Sequence, residues 1–356
     1  MTALPLPGRP ADAADAAGTA VADVRRARRG ARRSRRRVLG GLTCALAAAF
    51  AVRVLLGDYT VTVPDLLRIL GGADIPGATY IVLESKLPRA VLAVLAGVAF
   101  GVGGAIFQTV LRNPLASPDV VGVSLGASAA AVSAIALGGW EGWSVSAAAV
   151  LGALGVALVV RAVAGRRGGF RLVLAGIGMA AAMQSLVQYV FTRVDEHDVQ
   201  LLLRWLAGSV NGVAWSTIGV LAIALGVLLP LTAVLSRALP ALELGDDTAA
   251  GLGVSRPRTE LLLLVAVLLV AVAVAAAGPV AFVAFLSGPI ARALHRGRTT
   301  LLGAGLVGAL VMVVGDHVGA YAVDDLNLPV GVVTGAFGAP FLLWLLARGH
   351  TGRRAA

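Results

Sequence analysis

Residues 239–254 read Leu239-Pro240-Ala241-Leu242-Glu243-Leu244-Gly245-Asp246-Asp247-Thr248-Ala249-Ala250-Gly251-Leu252-Gly253-Val254. Apolar runs flank this stretch at 215–236 and 259–277. Each is close to the roughly 20 residues that carry a helix across a hydrocarbon core. The stretch between them has different chemistry. Pro240 suits the first turn of a short helix, and Gly245 permits a sharp break. Asp246 is placed to cap a second short helix, with Asp247 adding negative charge at the positive end of its dipole. Gly251 or Gly253 ends it. Leu242, Leu244 and Leu252 would then be apolar residues on a small helix pair outside the membrane. Such residues need cover, from a partner protein or from the lipid surface.

Working outward, the spacing of apolar runs predicts about ten spans. They fall near 38–56, 88–109, 118–137, 144–164, 171–192, 215–236, 259–277, 279–294, 300–322 and 329–347. The expected fold is an all-α polytopic membrane bundle. Hydrophobic residues make up 58% of the chain and charged residues 14%, against about 25% charged in soluble domains. The 45 glycines favour helices in close backbone contact. A transmembrane β-barrel would instead alternate apolar and polar positions.

The net charge of +11 does not indicate nucleic acid, because it is concentrated at one end. Residues 1–37 hold ten arginines against three aspartates and abut the apolar run at Val38. Such a cluster fixes the N-terminus in the cytoplasm and attracts anionic lipid. It is too long and too arginine-rich for a secretory signal. The expected organisation is a disordered basic tail over 1–37, a transmembrane domain over 38–349 with its cytoplasmic loop at about 238–256, and a short cytoplasmic tail over 350–356. With the N-terminus inside, Arg112, Arg166, Arg167, Arg237, Arg256, Arg258, Arg292, Arg296 and Arg298 fall in inner connections. Asp58, Asp65, Asp74, Glu84, Glu141, Asp195, Glu196, Asp198, Asp324 and Asp325 fall in outer ones, as the positive-inside rule requires. Trp140, Trp143, Trp205 and Trp215 fall near the outer interface. Val121–Ala127 and Val330–Ala336 are alike and open spans of opposite direction, as in the inverted repeats of transporters.

Several segments together resemble the iron-siderophore and cobalamin permease family of binding-protein-dependent transporters. They are Lys86-Leu87-Pro88-Arg89, Gly104-Ala105-Ile106-Phe107-Gln108, Arg112-Asn113-Pro114-Leu115-Ala116-Ser117-Pro118-Asp119, Arg204-Trp205-Leu206-Ala207-Gly208-Ser209, and Leu328-Pro329-Val330-Gly331 with Gly338-Ala339-Pro340. The order and spacing carry the likeness, which spans nearly the whole membrane region. Ser117-Pro118-Asp119-Val120, Phe170-Arg171-Leu172 and Gly245–Ala249 narrow it toward catecholate-siderophore permeases of the ferric-enterobactin type.

The resemblance implies the type II ATP-binding-cassette importer permease fold in the cytoplasmic membrane, both termini inside. It implies a second homologous permease, in systems of this likeness a different one, two copies of an ATPase, and an external siderophore-binding protein. Membrane lipid is the surrounding partner and nucleic acid is not one. The chain would bind no cofactor. ATP and magnesium would sit on the ATPase, since no Gly-x-x-x-x-Gly-Lys-Ser/Thr segment is present. Leu242, Glu243, Leu244, Gly245, Asp246, Asp247, Ala250, Gly251, Leu252 and Gly253 would be the coupling surface seated in the ATPase. Lys86 and Arg89 would meet acidic residues of the binding protein. Gln108, Asn113, Leu115, Gly169 and Phe170 would lie on the pathway near its inner gate. Neither a catalytic residue nor a metal ligand is expected. The bland alternatives are that Lys86 and Arg89 snorkel to headgroups and that Asn113-Pro114 is a simple turn.

Asp316 lies inside a span, so it should be paired or face a cavity. Bonds to neighbouring backbone or hydroxyl groups are the expectation. Two positions depart from the family. Gly288-Pro289 stands where Pro-His is usual, and Ala320 stands where many members carry a docking arginine. An ion-coupled secondary transporter would also use broken helices, but would need more acids at mid-span and leaves 240–254 unexplained. A membrane enzyme would need catalytic groups at one depth, and the four histidines are scattered.

Overall fold

The computed structural model describes residues 10–165, 170–323 and 326–351. Fifteen α-helices account for most of these residues, and no strand occurs among them. In chain order they are α1 (Pro10–Leu55), α2 (Val63–Leu70), α3 (Ala78–Tyr80), α4 (Leu87–Val110), α5 (Val123–Gly138), α6 (Trp143–Ala164), α7 (Phe170–Phe191), α8 (Glu196–Ala207), α9 (Trp215–Leu235), α10 (Leu239–Leu242), α11 (Asp246–Gly251), α12 (Arg256–Ala277), α13 (Val283–Leu294), α14 (Leu301–Tyr321) and α15 (Val330–Thr351). Among the described residues seven helical stretches are long and apolar enough to cross a membrane, and Val123–Gly138, Val283–Leu294 and Val330–Trp344 are shorter apolar helices. Each of the ten expected spans therefore contains a helix.

α4 is the axis of the bundle. It is buried along nearly its whole length, and α1, α9, α12, α13 and α14 pack around it. Its crossing with α14 is set by missing side chains. A Cβ on Gly97 would stand 2.5 Å from the Gly308 carbonyl oxygen, one on Gly101 2.2 Å from that of Ala304, and one on Gly308 2.1 Å from that of Gly97. Backbones this close gain dispersion contacts that lipid chains cannot match, which is how small residues hold membrane helices together. α5 and α6 meet in the same way. A Cβ on Gly152 would stand 2.4 Å from the Gly126 oxygen.

Two helices begin elsewhere than the expected span bounds. The backbone is already helical from Pro10, so residues 10–37 of the expected basic tail run on into α1. Alanine and arginine, which dominate this stretch, are strong helix formers. At 46 residues, α1 is about 69 Å long, far longer than a hydrocarbon core of about 30 Å. Second, α13 begins at Val283 and not at 279. Gly278 turns the chain with φ +72° and Phe282 caps the helix with φ +64°. Twelve residues rise only about 18 Å, so α13 is a half-helix. The connections between spans also contain α2 and α8. Thr62 opens α2 by accepting from the Asp65 N–H at 3.3 Å.

Candidate functional site

The elbow between α9 and α12 is two short helices hinged at Gly245, whose φ of +110° excludes a side chain. Pro240 stands in the first turn of α10. Gly245, not Asp246, caps α11, and Asp246 and Asp247 occupy its first turn. The apolar residues divide into two sets. Leu239, Leu242 and Ala249 are buried in the main core, so Leu242 faces inward and is not part of the external surface expected of it. Leu244 and Leu252 are 65% and 63% exposed. Glu243, Asp246, Asp247, Ala250, Gly251 and Gly253 are exposed around them. The result is an apolar pair with an acidic border, fastened to the bundle from behind.

Arg112, just past α4, reaches Asp246 at 3.8 Å. Arg112 takes φ +49°, a conformation rare for a residue with a Cβ. From Arg112 the chain turns through Asn113, whose Oδ1 accepts from the Leu115 N–H at 2.9 Å. Asn113 is exposed and forms a local turn of the kind asparagine favours.

The segment then runs into a cavity of about 680 Å³. Leu115, Ser117, Asp119, Ser124 and Ser128 line one side, and Gln184, Val280, Phe282, Phe285 and Leu342 line the other. Ser124 donates to Asp119 Oδ1. Leu115 thus lies on the cavity. Phe282, which sequence reasoning missed, stands at its edge in a left-handed conformation, where strain of about 1–3 kcal/mol is stored. Its ring seats on Gly338 of α15, where a Cβ would stand 2.3 Å away. A Pro-Val-Ala-Phe run just after a helix-ending glycine was the available signal.

Gln108 is not on the cavity wall. It is buried between α4 and α13, where it donates to the Phe285 carbonyl at 2.9 Å and accepts from Arg292 Nη2 at 2.9 Å. A Cβ on Gly288 would stand 1.9 Å from Gln108 Oε1. The departure at Gly288 therefore opens the slot that Gln108 fills. Gly169 and the side chain of Phe170 lie outside the described residues, and the Phe170 backbone opens α7.

At the other end of α4 the expectation for Lys86 and Arg89 changes. Both are buried, each with 5% exposure, so neither snorkels or forms a rim. Arg89 Nε donates to both oxygens of Asp316, at 2.7 and 2.9 Å, and its two amino groups reach Asn211 and Asn327. Arg53 Nε donates to the same carboxylate at 2.6 Å. Lys86 Nζ donates to the carbonyls of Leu56 and Tyr59, at 3.0 and 2.5 Å, beside the negative end of α1. The partners of Asp316 are therefore guanidinium groups on two other helices, and not the local backbone or hydroxyl groups. The missed signal was Arg53 itself, a basic residue inside an apolar run, which is costly unless paired.

The profile of the FecCD transport family matches residues 45–348. The ferric enterobactin transport system permease protein FepG of Escherichia coli is 37% identical over 307 residues, covering 85% of this chain and 92% of that protein. FepD, a second ferric enterobactin transport system permease protein of E. coli, is 35% identical over 325 residues, covering 88% and 95%. A solved metal-chelate type ABC transporter in an inward-facing conformation superimposes with a TM-score of 0.76. It is 24% identical and covers 87% of this chain and 98% of its own.

Proposed function

From the premise that this chain belongs to the FecCD transport family, we propose that it is a permease subunit importing a ferric siderophore, of catecholate type, across the cytoplasmic membrane. It is a multi-pass membrane protein with the fold of metal-chelate ABC transporters. The energy comes from ATP hydrolysed on two copies of a separate ATPase, and this chain carries no nucleotide, magnesium or other cofactor. The elbow lies in the cytoplasm, as do both termini. The siderophore moves along an interface shared with a second, different permease, after delivery by an external binding protein.

The observation that supports this most is the continuity from elbow to cavity. The exposed pair Leu244 and Leu252 sits on an element whose first helical turn touches Arg112, and the next eight residues turn into the cavity wall. A push on the elbow is thereby delivered to the cavity mouth. The cavity is mostly apolar, with three hydroxyls, the Asp119 carboxylate and the Gln184 amide on its lining, suited to passage of a bulky chelate and not to tight capture. Docking of the binding protein falls to other outer residues than Lys86 and Arg89. Arg68 of α2, with a side chain 71% exposed, is well placed for it.

The test is co-purification. The ATPase of the same system should be recovered with the wild-type chain and lost with Leu244→Glu plus Leu252→Glu. Undiminished recovery with that double variant would count against the elbow as the coupling surface. An ion-coupled carrier would leave the exposed apolar pair Leu244 and Leu252 without a role.

A further inference from the structure

Beside the elbow the bundle carries a groove of about 800 Å³ that the transport reading leaves unused. Its floor is α4 and its walls are α9 and α14, with Val102, Leu229 and Leu306 among the apolar residues lining it. The mouth is different. Arg35 of α1 and Arg298 of the α13–α14 connection both line it, both are exposed, and neither holds an ion-pair partner among the described residues. They come from opposite ends of the chain and meet only through the fold.

Between them α14 begins. Its cap, Thr300, lines the groove and makes no capping hydrogen bond, and its buried Oγ1 has no partner. First-turn N–H groups without a cap are orphan donors at the positive end of a helix dipole. Glu243 is the acidic residue on this lining, and it lies within electrostatic reach of Arg292. Two guanidiniums and a helix N-terminus thus surround the entrance to an apolar slot. Such a combination fits a molecule with an anionic head and a hydrocarbon tail. A soluble anion would leave the slot uncovered, and a zwitterionic lipid would bring an ammonium against the arginines.

We propose that this groove binds one anionic glycerophospholipid, its phosphate held by Arg35, Arg298 and the first turn of α14, and one acyl chain laid against α4. Basic pockets between membrane helices recognise acidic headgroups in this way. Pro240 of the elbow also lines the groove, so the bound lipid touches the element that moves in coupling.

The test is native mass spectrometry of the full chain, purified in mild detergent and titrated with phosphatidylglycerol or with phosphatidylethanolamine of the same acyl chains. The wild type should retain one phosphatidylglycerol in preference. Arg35→Gln plus Arg298→Gln should weaken that binding about 30-fold, since each basic contact near an anionic headgroup contributes roughly fivefold. Ala233→Trp, which fills the groove without altering its charge, should abolish it with helical circular dichroism intact. Millimolar glycerophosphoglycerol, the soluble head alone, should not compete. Equal retention of the two lipids, or competition by the soluble head, would overturn the proposal. So would an equal loss on Arg32→Gln plus Arg36→Gln, which would show diffuse attraction to α1.

Discussion

Arg89 on α4 holds Asp316 on α14 across 227 positions of sequence, its Nε donating to both carboxylate oxygens at 2.7 and 2.9 Å. Arg53 of α1 shares that carboxylate. Three helices are thus locked at the end opposite the elbow by one acid that is 1% exposed. Removing the common partner leaves two buried cations facing each other. Asp316→Asn should therefore cost about 3–5 kcal/mol, seen as a large fall in the thermal midpoint in detergent. Arg53→Met should cost less than half as much, because Asp316 keeps Arg89 and because Arg53 Nη1 is already without a partner.

The crossing of α4 and α14 gives a sharper steric prediction. Gly101→Leu and Gly308→Leu push a side chain into facing backbone that sits 2.2 and 2.1 Å from the new Cβ, so the helices must part. Both variants should lose the monodisperse peak in size-exclusion chromatography. Gly155→Ala and Gly226→Ala meet nothing within 4 Å and should be neutral or stabilising by up to about 1 kcal/mol.

Gln108 and Gly288 should behave as a coupled pair. Gly288→Ala places a methyl 1.9 Å from Gln108 Oε1, displacing an amide that bonds Phe285 and Arg292. Gln108→Ala leaves those two groups unsatisfied, at about 1–3 kcal/mol. Once the amide is gone, however, the methyl has room. The double variant should cost less than the sum of the two single ones by about 0.5–3 kcal/mol, measured as a thermal-melt double-mutant cycle.

Within the elbow, burial separates folding from coupling. Leu242 is 2% exposed and packs in the main core, so Leu242→Glu should reduce folded yield. Leu244 and Leu252 are exposed, and substituting them with Glu should leave the unfolding free energy within about 0.5 kcal/mol of wild type, with the thermal midpoint nearly unmoved.

Much of this was legible in the residues. The ten spans follow from apolar length alone, and the elbow from a proline, a hinge glycine and paired acids. Asparagine at 113 announced its turn. What composition hides is which charge meets which. The resemblance implied that Lys86 and Arg89 are rim residues, yet Asp316 and the carbonyls ending α1 draw them inside. Gln108 read as a pathway residue, but the slot that receives it exists only where α13 approaches α4 at Gly288. Leu242 and Leu244 are two residues apart and alike in sequence, and only the turn of α10 sends one inward and the other out. The helical extension of α1 was obscured because a dense arginine run also describes an unstructured tail.

The most direct test of the whole account is uptake of a radioiron-labelled catecholate chelate into proteoliposomes. They would hold this permease, its partner permease and the ATPase, with binding protein added outside. Accumulation should require internal ATP, ignore a proton gradient, and vanish with Leu244→Glu plus Leu252→Glu although the vesicles retain the folded chain. Accumulation driven by a proton gradient in vesicles lacking the ATPase would contradict it.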